Sequence, residues 1–369
     1  MKITGVKIYE VNIPLVTPFK TALRTVDCVN DIVIKLLTDT EEVGIGEAPP
    51  TAVITGDTKG SIVCAIRDFI VPAIRGMEIE DLDGICAKIK NCMQKNTSAK
   101  AAVDMAVYDL YAKHLKKPLY KVLGGHTDRV TTDITISVNE IPEMVADSKR
   151  ALEEGFKILK IKVGKEGLKD VDRILAIREA VGKDVALRID ANQGWTAKEA
   201  VKIISTLEDK GVEMDLVEQP VKGHDLDGME YVCKHVQTKI LADESLFSPE
   251  DAVTLIKRHA ADLLNIKLMK TGGISEALKI CSIAEVYGVE CMIGCMLESK
   301  ISVSAAAHLA AGKQIITRAD LDGPALCKVD PYVGGPSFDG ALITMPDANG
   351  IGITNIEEAL WKELQKEET

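Results

Sequence analysis

Between residues 158 and 267 five short apolar runs each end on a charged side chain: Ile158–Lys162, Val185–Asp190, Asp215–Glu218, Ile240–Asp243 and Leu263–Lys267. Their last residues, 162, 190, 218, 243 and 267, are 28, 28, 25 and 24 positions apart. An interval of that length holds one strand, one amphipathic helix and two short loops, the repeating unit of a parallel sheet. Runs at Thr131–Val138, Glu290–Gly294 and Ile315–Asp320 bring the predicted strands to eight. Eight strands, nearly all separated by one helix, point to a closed (β/α) barrel. An open doubly wound sheet would be supported by a G-x-G-x-x-G turn after a strand, and none is found.

The flanks read differently. Ile3–Ile13, Asp31–Leu37 and Glu42–Ala48 alternate as strands, with breaks at Thr38-Asp39-Thr40 and Pro49-Pro50, and suit a small antiparallel meander. Polar loops near 17–27 and 51–58 follow the first and third strands and are natural lids. Three helical patterns come next; the clearest is capped by Asn96-Thr97-Ser98 and runs through Ala102, Met105, Ala106, Leu110 and His114. Gly124-Gly125 marks a domain boundary. The expected organisation is an α+β capping domain over 1–125, a catalytic barrel over 126–332, and a segment 333–369 that returns to the cap. That last segment is predicted to end in a charged helix over Ile356–Lys366.

Composition excludes several function classes. With a formal net charge of −11 and no basic run, nucleic acid is not an expected partner. No apolar run approaches the roughly 20 residues needed to span a bilayer, and Met1-Lys2-Ile3-Thr4-Gly5 enters a strand pattern without a signal-peptide core. The nine cysteines are scattered without a Cys-x-x-Cys pair and are expected to be reduced, which places the protein in the cytoplasm.

In a (β/α) barrel the C-terminal strand ends converge on one mouth. Here they carry Lys160 and Lys162, then Asp190, Glu218, Asp243 and Lys267. A single acid at such a junction more often caps the next helix. Three on successive strands suit a hard, six-coordinate cation, and Mg²⁺ fits better than zinc because no His or Cys accompanies them. Lys160 and Lys162 point to one side of their strand. Lys162 and Lys267, on the second and sixth strands, would face each other across the mouth. A carbon acid held between them could lose a proton to one and regain it from the other, inverting a stereocentre. For a lysine to act as base its pKa must fall, and Lys160 beside Lys162 is a neighbouring cation able to do that. The alternative is a purely structural network of lysines and acids.

Taken together, Lys160-x-Lys162, Asp190-Ala-Asn-Gln-Gly-Trp195, Val217-Glu-Gln-Pro220, Ala242-Asp-Glu-Ser245 and Asn265-Ile-Lys267 resemble the enolase superfamily, and within it the muconate-lactonizing-enzyme subgroup. The resemblance spans essentially the whole chain. It implies a modified TIM barrel, (β/α)7β, with its capping domain. It assigns Asp190, Glu218 and Asp243 to one Mg²⁺ per subunit (Mn²⁺ as a substitute) and Lys162 and Lys267 to acid–base catalysis. The reaction implied is a two-base 1,1-proton transfer through a Mg-stabilised enolate. Asp320-Leu-Asp322 resembles the Asp-x-Asp of dipeptide epimerases, a clamp for a substrate ammonium. Phe19–Thr25 resembles the lid of alanyl-glutamate epimerases, in which the arginine, here Arg24, meets a glutamate side chain. Thr135, Lys160, Cys295 and Leu297 are the further expected substrate contacts. The resulting expectation is an isomerase that epimerises the C-terminal residue of a dipeptide, L-Ala-L/D-Glu first, in a homo-oligomer that takes no nucleic acid or membrane partner. The other readings are an epimerase of hydrophobic dipeptides, an N-acylamino acid racemase or cycloisomerase of the same subgroup, and a catalytically silent ligand-binding descendant.

Overall fold

The computed structural model describes residues 1–21, 25–356 and 361–363. β1 (Ile3–Lys20), β2 (Thr25–Thr38) and β3 (Val43–Ala48) form the expected antiparallel meander. Against it pack α1 (Lys59–Cys64), a π-helical turn at Ala65–Ile70, α2 (Val71–Ile74), α3 (Leu82–Asn91) and α4 (Thr97–His114), followed by α5 (Leu119–Val122). Alternating positions of β2, such as Ile32, Ile34 and Leu36, are fully buried against Ile62, Ile66, Ile70, Val103 and Leu110, which gives the cap a core of its own.

After a short β4 (Arg129–Thr131), strand and helix alternate through the rest of the barrel. The series is β5 (Ile134–Ile136), α6 (Ile141–Glu153), β6 (Ile158–Lys162), α7 (Lys169–Val181), β7 (Ala186–Asp190), α8 (Ala197–Asp209), β8 (Met214–Glu218) and α9 (Leu226–His235). It continues with β9 (Ile240–Ala242), α10 (Pro249–Arg258), β10 (Leu263–Lys267), α11 (Leu268–Thr271), α12 (Ile274–Tyr287), β11 (Cys291–Gly294), α13 (Lys300–Gly312) and β12 (Ile316–Asp320). The eight strands β5 to β12 pair in sequence order, and a parallel bridge between Thr132 and Ala319 joins the last to the first. The architecture is the (β/α)7β barrel. Its amphipathic helices bury one face: in α8 Ala200, Ile203, Ile204 and Leu207 are inside, and a capping box between Thr196 and Glu199 fixes where the helix starts.

Inside the barrel the side chains alternate in layers. Leu216, Leu241, Leu263 and Met292 make a small apolar plug. Arg188 completes it, with Nη1 donating to Asp133 Oδ2 (2.8 Å) and Ala319 O (2.8 Å), and Nε to Asp215 Oδ2 (3.0 Å). A buried guanidinium is tolerable only because these acceptors surround it.

Three expectations change. The loop expected to start at residue 17 is mostly strand, because β1 runs to Lys20 and pairs Phe19 with Val26 and Lys20 with Thr25 after an irregularity beyond Pro14. Asn96 does not cap α4 through its side chain; it sits in left-handed backbone, and Asp57 from the second lid accepts from Ser98 N (3.1 Å) instead. The predicted C-terminal helix is replaced, where the chain is described, by strand. After α14 (Gly323–Leu326) come β13 (Tyr332–Gly334), β14 (Ser337–Asp339), β15 (Leu342–Thr344), β16 (Ile353–Ile356) and β17 (Trp361–Glu363). β17 adds to the cap sheet, antiparallel to β1 over Tyr9–Val11. The remainder of that predicted helix, residues 357–360 and 364–366, lies outside the described residues.

Candidate active site

Sheet register alone sets the site. Lys162 pairs with Asp190, Asp190 with Glu218, Lys267 with Gly294, and Gly294 with Asp320. Each set of strand ends is in register, and β6 and β10, four strands apart in a ring of eight, carry Lys162 and Lys267 into one cavity from opposite walls. Gly294 is required there: a Cβ would stand 2.8 Å from Asn265 Oδ1 and 3.0 Å from Lys267 Cε.

The charges interlock. Lys162 Nζ donates to Asp190 Oδ2 (2.5 Å) and Lys267 Nζ to Asp243 Oδ2 (2.9 Å). Lys160, almost fully buried, stands 2.6 Å from Asp320 Oδ2, 2.8 Å from Glu218 Oε2 and 3.2 Å from Asp190 Oδ2. Burial works against its charge, but Asp320, Glu218 and Asp190 outweigh burial and hold its pKa well above the usual value. Lys160 thus acts as counter-ion to three carboxylates, more than as the simple neighbour of Lys162 expected from the sequence. Burial likewise opposes the Lys267 ammonium, and Asp243 more than reverses it. Burial, then the Asp190 charge, push Glu218 up to about 7, whereas Lys162 and Lys160 overcome burial to hold Asp190 low.

The donor set fits a hard dication. Glu218 Oε2, Asp243 Oδ1, Asn192 Oδ1 and Glu244 Oε2 are buried and receive no hydrogen bond, although the first two lie within ion-pair distance of Lys160 (2.8 Å) and Lys270 (2.5 Å). Among the described residues no three acids stand at coordination spacing; ammonium groups stand between them. Buried oxygens short of donors, on adjacent strand ends, are what an oxygen-seeking cation satisfies.

Above this floor opens a cavity of about 640 Å³. Its wall includes Thr135, Lys160, Lys162, Asp243, Lys267, Cys295, Leu297, Asp320 and Asp322. Asp190 and Glu218 lie behind that wall, fully buried. Asp322 Oδ2 accepts from Thr135 N (2.7 Å), and its pKa is raised by burial and by Asp320. Arg24 lies outside the described residues, but Phe19 and Thr21 of its hairpin reach the cavity. The hairpin is moored to the end of β5: Lys20 N donates to Ser137 Oγ (3.1 Å), and Lys20 Nζ to Asn139 Oδ1 (2.8 Å). The second lid contributes Thr51, Val53 and Ile54.

Several residues here were not singled out from the sequence. Glu244 borders the cavity, with its pKa pushed up to about 8 by burial and by Asp243. Lys270 is wholly buried, pairs with Asp243 and donates to Asp243 O and to Asn265 O (3.1 Å). Gln219 Oε1 accepts from Asp243 N (2.9 Å) and Ser245 N (3.1 Å), and Gln193 Oε1 from Gly223 N (2.9 Å). Asn192, Gln193 and Gln219 have positive φ (44°, 64° and 36°), a strained backbone that these ties hold at the two glutamines. Each tie joins the loop after one strand to the loop after the next. Glu244, Gln193 and Gln219 lie within the motifs quoted from the sequence, and Lys270 stands three residues beyond Lys267 on the same apolar turn.

Residues 3–124 match the model described as mandelate racemase / muconate lactonizing enzyme, N-terminal domain, and residues 143–359 match the enolase C-terminal domain-like model. The chain belongs to the mandelate racemase/muconate lactonizing enzyme family of the enolase superfamily. Within that family it is 53% identical over 356 residues to an L-Ala-D/L-Glu epimerase of Clostridium acetobutylicum, covering 96% of this chain and 99% of that one. A substrate-liganded L-Ala-D/L-Glu epimerase of Bacillus subtilis superposes with a TM-score of 0.95 at 48% identity, covering 96% and 99% of the two chains. A dipeptide epimerase of Enterococcus faecalis V583, solved with Mg and L-Leu-L-Tyr, gives 0.93 at 43% identity, covering 96% and 100%.

Proposed function

We propose that this protein is a dipeptide epimerase that inverts the α-carbon of the C-terminal residue, with L-Ala-L-Glu and L-Ala-D-Glu as its first substrates. The observation that carries the reading is the placement of Lys162 and Lys267 on one cavity, bonded to Asp190 and Asp243 respectively. Similarity to two L-Ala-D/L-Glu epimerases supports the substrate class. In this reading one lysine, deprotonated, takes the α-proton, and the ammonium of the other delivers a proton to the opposite face. Lys160 meets the substrate carboxylate, and Asp320 with Asp322 receives the dipeptide ammonium. A positive charge placed there offsets the burial and the Asp320 charge that together raise Asp322. Asp190, Glu218 and Asp243 would hold one Mg²⁺, replaceable by Mn²⁺, which when bound stabilises the carboxylate electrostatically as its α-carbon becomes anionic. Arg24 would meet an acidic second side chain.

Preference for hydrophobic dipeptides is the second reading, and Val53, Ile54, Met296 and Leu297 on the cavity wall favour it. A homo-oligomer in the cytoplasm remains part of the proposal; among the described residues no helix is long and apolar enough to cross a membrane. The test is incubation with Mg²⁺ and a panel of L-Ala- and L-Leu-containing dipeptides, read by chiral chromatography. Epimerisation of L-Ala-L-Glu above that of apolar dipeptides is expected. Failure to epimerise any dipeptide would overturn the reading, and a preference for apolar ones would favour the second.

A further inference from the structure

Asp170 is fully buried on the first turn of α7, away from the cavity, and has three donors. Its Oδ2 accepts from Gly164 N (2.9 Å) and from the Trp195 indole Nε1 (3.0 Å), and its Oδ1 from Arg173 Nη1 (2.9 Å). Gly164 is two residues beyond Lys162, and Trp195 five beyond Asp190. One carboxylate therefore grips the loop that leaves the first lysine strand and the loop that leaves the first acid strand. The two loops touch with nothing between them: a Cβ on Gly164 would meet Ala191 O at 2.1 Å. Val163 N also donates to Asp190 O (2.9 Å), so the seam is zipped from the strand ends outward. Arg173, itself buried, carries the grip on to Asn139 O (3.3 Å) and to Glu166. Buried, charge-assisted bonds of this kind hold geometry more tightly than neutral ones.

The opposite wall has no part in this grip. Lys267 is held through Asp243, Lys270 and Asn265 O. We propose that Asp170 is a positioning residue for one half of the reaction: it fixes the β6–β7 seam so that Lys162 and Asp190 keep their register, while Lys267 is held directly by Asp243. The proposal rests on the epimerase reading and adds to it a residue that touches neither substrate nor the reacting atoms.

The consequence is a one-sided defect. An error of about 1 Å in a proton-transfer geometry can cost up to ~100-fold in rate. In D₂O with Mg²⁺, α-deuterium incorporation is measured separately from L-Ala-L-Glu and L-Ala-D-Glu, and Lys162→Ala identifies the isomer that depends on Lys162. Asp170→Asn retains the shape but offers one acceptor to donors on both sides, so its amide nitrogen must face either the Gly164 and Trp195 donors or Arg173, and the grip is weakened. The substitution is expected to lower the α-deuterium exchange rate of the Lys162-dependent isomer by about tenfold or more, to lower that of the other by less than about threefold, and to leave both KM values nearly unchanged. Trp195→Phe removes one bond, keeps a smaller aromatic ring, and is expected to shift the same ratio in the same direction by a smaller factor. It serves as the test should Asp170→Asn not fold. Equal loss for both isomers, or no change in the ratio for either variant, would overturn the positioning role while leaving the epimerase reading intact. An inactive wild-type protein would overturn that reading and the proposal with it.

Discussion

Gly294 gives the clearest single-residue prediction. A methyl group there must displace Asn265 Oδ1 or the Lys267 side chain, since both lie within 3.0 Å of the Cβ position. Gly294→Ala is expected to cut kcat about tenfold or more through Lys267 while the fold survives, checked by steady-state kinetics beside circular dichroism. Lys162→Ala and Lys267→Ala are expected to have opposite isomer preferences in α-proton exchange; equal loss of both isomers in both variants would argue against two opposed bases. The acids and the two opposed lysines were legible in the sequence, because strand ends at a fixed interval must meet at one barrel mouth. Lys160 was legible as a buried cation but not as the partner of Asp320, which lies 160 residues away. Asp170 and Lys270 escaped notice, and Gln219 was seen only as part of its motif, because they act between loops, where no periodicity reports which side chain crosses which seam.

At the scale of elements, the first lid is a moored hairpin more than a free loop. Lys20 ties it by backbone and side chain to Ser137 and Asn139 at the end of β5. Lys20→Ala is expected to raise KM for the dipeptide severalfold with a smaller effect on kcat, since it loosens the cavity's cover and leaves the lysines in place; steady-state kinetics on L-Ala-L-Glu decide it. The sequence showed Thr17–Thr25 as polar and Pro-bounded, but not that β1 and β2 continue to pair past the irregularity at Pro14. Asn96 failed as a cap for the same kind of reason: local chemistry suggested it, and a more distant carboxylate, Asp57, took the role. The predicted terminal helix gave way to a strand over Trp361–Glu363 because the open edge of β1 offers backbone partners that local propensity does not register.

Across the whole molecule, His308 couples barrel to flanks. Its Nδ1 accepts from Tyr120 N (3.0 Å), which leaves Nε2 to donate to Ile351 O (3.2 Å). Burial lowers its pKa from 6.5 to about 4. Between those values the unfolded chain binds the proton and the folded one does not, so stability is lost as pH falls below 6.5. The loss from pH 7 to 5 is about 2 kcal/mol. Urea midpoints should show it, and His308→Gln, which keeps an acceptor and a donor, should remove that part of the slope. Metal is expected to act at the same scale. Mg²⁺ at about a hundredfold excess over Kd should stabilise the fold by about 2.7 kcal/mol, an increment abolished by chelation and by Asp243→Asn in calorimetry. The most direct test of opposed-lysine inversion is a single-turnover reaction of L-Ala-L-Glu in D₂O with Mg²⁺, with the isomers separated and weighed. The expected result is that every inverted molecule carries one deuterium, at the α-carbon of its C-terminal residue. Inverted product retaining the substrate's own α-hydrogen, or no inversion at all, would contradict it.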